Sequence, residues 1–205
     1  MPTKLLISRQ EYLTSGIHIG MKQRTADMKE FIYKIRPDGL AVLNLRKVDE
    51  RIRIVAKFLS RLKNILVVSR KSIAFDSMKK FGEVTGAKVI AGRFMPGTLT
   101  NPQYKNFYEA DAVLIIDPLV DYQILREAAK ARAPIVAICD TFNETRNIDL
   151  ILPANNKGKK ALAILFWLLA REVLKERGEI KSDKEFNYKI EDFGGQLTEE
   201  DKEQE

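Results

Sequence analysis

Cationic side chains recur where apolar runs of this sequence give way to polar residues. Arg46 and Lys47 follow the run 40–43, Arg70 and Lys71 follow 65–68, and Arg93 follows 88–91. Lys157, Lys159 and Lys160 gather just after Asn155 and Asn156, two residues suited to cap a helix that opens there. Basic residues at a helix start oppose its dipole, costing about 0.3 to 1 kcal/mol each when exposed, and a bound anion reverses that cost. Backbone N–H groups together with lysines at such a start make a ready phosphate site. Phosphate contact is therefore the chemistry these positions suggest, weighed against plain solvation of the same lysines.

Other chemistries find less support. The fourth and fifth runs end in Asp117 and Asp140, carboxylates that suit Mg²⁺ binding or proton transfer in principle. Acidic residues at strand ends also form loops and caps, and that reading is preferred. Cys139 lies inside an apolar run, and the single histidine, His18, sits in Gly16-Ile17-His18-Ile19-Gly20 with no activated Ser or Cys near it in sequence. A structural hydrogen-bonding role is expected for it. No Gly-x-Gly-x-x-Gly follows residue 43, and no Gly-x-x-x-x-Gly-Lys loop occurs, so neither a dinucleotide nor a nucleoside triphosphate is expected. No catalytic residue, cofactor or metal is assigned.

The charge balance narrows the partner. The 205 residues carry 35 Lys plus Arg against 28 Asp plus Glu, a formal net charge of +7. Residues 176–205 contribute a net of −6, so residues 1–175 stand at +13, and the first 100 hold 20 basic against 8 acidic side chains. A field of that sign draws polyanions, and nucleic acid is the leading partner. One cysteine excludes an intrachain disulfide and makes a cysteine zinc site implausible. Met1-Pro2-Thr3-Lys4 does not open a secretory signal, which makes the cytoplasm the expected location. The longest apolar run, 161–170, is half of the roughly 20 residues that a membrane span needs and reads as a buried helix carrying Trp167.

These side chains need a frame to position them. The runs 40–43, 65–68, 88–91, 112–116 and 135–139, with a weaker one at 150–152, are rich in Val and Ile without polar alternation, as strands buried on both faces are. Helical periodicity separates several of them: 48–64, with Ile52, Val55, Ala56, Leu59 and Leu62 on one face, then 71–85 and 121–131, stopped by Gly86 and Pro134. Such alternation predicts an α/β fold with a doubly wound, mostly parallel five-stranded sheet. Residues 1–39 form an N-terminal extension with a helix at 8–15 and a basic loop, 40–177 the α/β domain, and 178–205 an acidic C-terminal arm or tail. Phe186, Tyr188, Ile190 and Phe193 give that arm apolar anchors. Phe94, Tyr104, Phe107 and Tyr108 lie among Arg93 and Lys105, where stacking on bases competes with core packing.

Three stretches together resemble one family. Ser15-Gly16-Ile17-His18-Ile19-Gly20 with Lys22 and Arg24, then residues 31–36 and the run at Leu40, look like the opening signature of the small-subunit ribosomal protein S2 family. Gly92-Arg93-Phe94-Met95-Pro96-Gly97-Thr98-Leu99-Thr100-Asn101 is similar to its central loop, and Ile135-Val136-Ala137-Ile138-Cys139-Asp140-Thr141 to its late strand. The helical hairpin that bacterial members insert after the central loop has no room between Asn101 and Ala112, which points to the archaeal and eukaryotic, laminin-receptor-like branch.

The resemblance implies a flavodoxin-like sheet, a structural role in the small ribosomal subunit without catalysis, and ribosomal RNA and neighbouring ribosomal proteins as partners, in cytoplasmic ribosomes. No small-molecule substrate and no membrane are implied. Lys22, Arg24, Arg36, Arg46, Lys47, Arg70, Lys71, Arg93 and Arg146 are the expected phosphate contacts, Asn101 a base or sugar contact, and Lys157, Lys159 and Lys160 a second tier. Arg24, Arg36 and Arg93 rank first, because a guanidinium grips phosphate through two parallel bonds. A flavin or nucleotide binder and a protein or membrane-surface adaptor are the competing readings.

Overall fold

The computed structural model describes residues 5–195. Five parallel strands form the main sheet: β3 (Ile65–Ser69), β4 (Lys88–Ala91), β5 (Ala112–Ile115), β6 (Ile135–Cys139) and β7 (Leu150–Pro153), in the order β4-β3-β5-β6-β7. Every residue of β3, β5 and β6 is buried, which is why these runs show no polar alternation. The helices are α1 (Arg9–Ser15), α2 (Leu45–Ser60), α3 (Phe75–Thr85), α4 (Tyr122–Ala131) and α5 (Lys159–Arg177). The long helix α5 packs on both α2 and α3, while α4 packs on β6. Helices on both sheet faces and a strand order that reverses between β3 and β5 make this a doubly wound, flavodoxin-like architecture.

One strand falls outside the sheet that the sequence pattern suggested. The run 40–43 becomes β2 (Ala41–Leu43), which pairs antiparallel with β1 (Ile32–Ile35) in a separate ribbon. The turn through Pro37, Asp38 and Gly39 dictates this: the Gly39 amide donates to Arg36 O, the Arg36 amide to Leu40 O, and Gly39 takes φ +86°. The weaker run at 150–152 instead supplies the fifth parallel strand, β7. A second departure lies between β4 and β5, where the crossover contains no helix. Gly92, Pro96, Gly97 and Pro102 break helical geometry there. The buried Glu127 of α4 pins the loop by accepting from the Gly97 and Leu99 amides at 2.8 and 3.4 Å.

Both ends of the described chain are fastened to this frame. Ser8 caps α1 in a reciprocal capping box with Glu11. The Tyr12 hydroxyl and the Leu6 amide both donate to the buried Asp49 of α2, at 2.9 and 2.7 Å. At the other end, Phe193 is fully buried and its carbonyl accepts from Ser77 Oγ at 2.7 Å. Trp167 is half-buried on α5 rather than interior; its Nε1 donates to Tyr188 O at 2.7 Å, and its ring meets Phe186 edge-on. The arm 178–195 is thus docked through the apolar anchors visible in the sequence. The acidic stretch 199–205 lies outside the described residues.

Candidate nucleic-acid interface

All five parallel strands end at one edge, and the loops leaving them carry most of the cations singled out from sequence. Arg70 and Lys71 follow β3, Arg93 follows β4, Arg146 lies in the loop after β6, and Lys157 and Lys159 follow β7. The basic loop 20–27 is bound to this edge rather than to its own flanks. The Met21 amide donates to Thr141 Oγ1, the Thr25 amide to Thr141 O, and Thr25 Oγ1 to Asn143 O, all within 3.0 Å. Thr145 closes the seam on Asp27 at 2.7 Å. Gly20 is required because a Cβ there would collide with the Thr141 side chain and crowd Ala41 O. Lys22 and Arg24, both exposed, are thereby carried to the loop that holds Arg146.

Beneath the exposed cations lies a buried polar network. Lys71 Nζ sits 2.5 Å from Asp117 Oδ2 and also donates to the backbone and side-chain oxygens of Asn156. Asn143 Nδ2 donates to Asp117 Oδ1 at 2.9 Å. Asn156, predicted as a helix cap, is instead fully buried, its Nδ2 donating to Ile116 O, Ile138 O and Asn143 Oδ1. Asn155 alone serves the α5 approach, accepting from the Lys157 and Gly158 amides. The network ties the ends of β3, β5, β6 and β7 together across the reversal in strand order, where open α/β sheets take ligands.

The carboxylates here serve the backbone. Asp121 accepts from the Arg70 amide at 2.8 Å, and burial raises its carboxyl to about 6. Asp140 accepts from the Thr141 amide and is likewise raised by burial. Among the described residues no group of three or more His, Cys, Asp or Glu side chains is gathered to hold a metal ion. Cys139 is fully buried, and desolvation drives its thiol far above the usual range, so it carries no thiolate at neutral pH. Burial lowers the His18 imidazole, a shift opposed by its interaction with the Tyr12 backbone and reinforced by the Arg36 charge.

The sequence-predicted residues thus divide by place. Lys22, Arg24, Arg70, Arg93, Arg146 and Lys157 present exposed side chains around the carboxyl edge. Lys157 lies 4.4 Å over the Phe142 ring, Lys159 pairs with Asp76 at 3.1 Å, and Lys160 is half-buried. Lys71 is turned inward to Asp117. Arg36, paired with Asp38 at 3.2 Å, and Arg46 stand on a second surface beside the β1–β2 ribbon. Lys47 donates to Glu30 O at 2.6 Å and caps the Phe31 ring. Because β2 belongs to the ribbon, Arg46 and Lys47 do not follow a strand of the main sheet as their sequence positions suggested, and Arg46 lines the groove beside the ribbon. Asn101, whose Oδ1 accepts from the Gln103 amide, follows Thr100, which lines a recess at the opposite edge with Lys130 and Pro134.

Sequence reasoning passed over Tyr122 and Arg126, which line a groove of about 430 Å³ with Leu119, Phe142 and Arg146. The Arg126 guanidinium lies 5.6 Å from the Tyr122 ring centroid. Their i, i+4 spacing on the polar face of α4 was the available signal. Phe94 is buried, and Tyr104, Phe107 and Tyr108 are half-buried, so packing accounts for much of that aromatic set.

Known proteins resemble this chain in sequence across nearly its whole length. The profile of the family described as Ribosomal protein S2 matches residues 12–110 and 104–176. The chain is similar to the small ribosomal subunit protein uS2 of Thermoplasma acidophilum, 47% identical over 199 residues, covering 96% of this chain and all of the relative. Its likeness to the Picrophilus torridus protein of the same name is 49% over the same span and coverage. The matched span takes in the basic loop, the central loop and every strand of the cation-bearing edge, and on these grounds the chain belongs to the ribosomal protein S2 family.

Proposed function

We propose that the protein is a structural constituent of the small ribosomal subunit that holds ribosomal RNA on the carboxyl edge of its sheet and meets neighbouring ribosomal proteins elsewhere. The observation that carries this reading is the division of labour at that edge. Arg24, Arg70, Arg93 and Arg146 are exposed on it, while Asp117, Asp121 and Asp140 beneath them are buried against backbone amides, Lys71 and Asn143. A surface so arranged presents cations to a polyanion and keeps its carboxylates out of the way. Folded RNA is recognised largely by shape and backbone, which suits dispersed phosphate contacts without a compact base-reading motif.

In this reading Lys22, Arg24, Arg70, Arg93 and Arg146 contact phosphates, Lys157, Lys159 and Lys160 support them, and Lys71 positions the loop that carries Arg70. The unit 40–177 carries most of these contacts, residues 1–39 contribute the basic loop, and 178–205 form the acidic C-terminal arm or tail. The site of action is the cytoplasmic ribosome, and no reaction is catalysed. Binding of the purified chain to small-subunit ribosomal RNA across a salt series tests this. Affinity is expected to fall steeply as salt rises, because bound counterions are released. A salt-independent affinity would count against this reading, and saturable binding of a flavin or nucleotide at the β3–β5 reversal would support the competing small-molecule one.

A further inference from the structure

A second surface is built differently from the carboxyl edge. A groove of about 760 Å³ runs between α1, the β1–β2 ribbon and the start of α2. Its apolar lining includes Leu13, Tyr33, Val42 and Leu45, with Leu13 44% and Tyr33 68% exposed. Its charged rim is Arg9, Lys34, Arg36 and Arg46, and among the described residues no Asp or Glu lines it. A β-bulge between Ile32 and Lys34 sets two residues of β1 against one of β2, and both Tyr33 and Lys34 line the groove.

We infer that this groove docks a segment of a neighbouring small-subunit protein that inserts an apolar side chain flanked by carboxylates. The inference rests on the ribosomal reading above. Charge complementarity selects an acidic occupant, since four cations line the groove and among the described residues the acidic side chain paired with one of them is Asp38, beside Arg36. The lining selects protein over RNA. A nucleobase needs its polar edges hydrogen-bonded, and the uncharged polar groups here are few: His18, the Tyr33 hydroxyl and Asn44, whose Oδ1 already accepts from the Arg46 amide. Addition of a strand to β1 is disfavoured: the strand is four residues long, bulged and charged, the features by which edges resist pairing. Anchoring therefore comes from a side chain in the groove, with Arg9, Arg36 and Arg46 closing on the flanking carboxylates.

The test uses the full chain with a photo-crosslinking benzoylphenylalanine replacing the exposed Tyr33, assembled into small subunits, isolated and irradiated. The expected product is a crosslink to a ribosomal protein at an apolar residue with Asp or Glu beside it. Its yield should fall at least about tenfold when Arg9→Glu and Arg46→Glu are added, because like charges then meet. A crosslink to ribosomal RNA, to residues 196–205 of the chain itself or to a second copy overturns the inference, and so does absence of a crosslink in assembled subunits. Leu13→Asp gives a second reading: the partner's crosslink should be lost while the melting temperature of the free chain is unchanged. Failure of the chain to enter subunits at all would instead count against the proposed function.

Discussion

Lys71 Nζ and Asp117 Oδ2 meet at 2.5 Å across the reversal in strand order, with the aspartate 2% and the lysine 15% exposed at their side chains. This ion pair occupies the place where folds of this architecture take a ligand. The lysine that looked from sequence like a phosphate contact instead joins β3 to β5 and, through Asn156, to β7. Stability and RNA binding are therefore separable at this edge.

Breaking the pair from one side leaves a poorly solvated charge. Asp117→Ala is expected to lower unfolding free energy by about 3 kcal/mol, and Lys71→Met with Asp117→Leu to recover much of that loss. Denaturant titrations check both. Lys71→Met should also leave the salt dependence of RNA binding unchanged, and a shallower slope would return Lys71 to the phosphate contacts.

The exposed arginines should behave in the opposite way. Arg24→Gln, Arg93→Gln and Arg146→Gln are each expected to reduce the slope of log affinity against log salt by about one. Their melting temperatures should stay at the wild-type value. A loss of stability at Arg93 without a change of slope would make it a structural residue.

Asp121 gives the edge a pH signature. Burial raises its carboxyl from 3.8 to about 6, so the folded chain keeps a proton there that the unfolded chain has already released. Stability linked to this group is full below the unfolded value and is lost as pH rises through the folded one. Asp121→Asn should therefore gain on wild type as pH climbs from about 4 to 6, by on the order of 2 kcal/mol, and hold that gain at pH 7. Asp140, raised in both proteins, cancels in the comparison. A difference independent of pH would contradict the assignment.

The C-terminal arm is a folded part of the molecule as far as Gly195. Phe193→Ala removes a fully buried ring and is expected to cost about 3 kcal/mol of stability. Thermal and denaturant unfolding measure this, and a wild-type midpoint would mean that the arm contributes nothing to the fold.

Much of the scaffold was legible in the sequence because strands buried on both faces must be continuous apolar runs, as 65–68, 112–116 and 135–139 are. The run 40–43 looks the same, yet it belongs to the ribbon. What decides its place is the hairpin turn at Pro37-Asp38-Gly39, read from the residues before the run. Sequence showed which residues carry charge but not which way they face, so Lys71 stood level with Arg70. Asn156 was legible as a cap former but not as the buried amide that joins three strand ends. Glu127 has no local signature, since the amides it binds lie about thirty residues away in the chain. Arg36 and Arg46 were visible as cations, but only the ribbon shows that they line a separate groove.

The central claim is tested most directly by sedimenting a tagged full-length chain, expressed in a host that carries its own S2-family relatives' ribosomes, through a sucrose gradient. The chain should migrate with small subunits at low salt and leave them as salt is raised, and the Arg24→Gln, Arg93→Gln and Arg146→Gln triple variant should leave at lower salt than wild type. A chain that stays at the top of the gradient at every salt concentration while remaining folded would contradict the account.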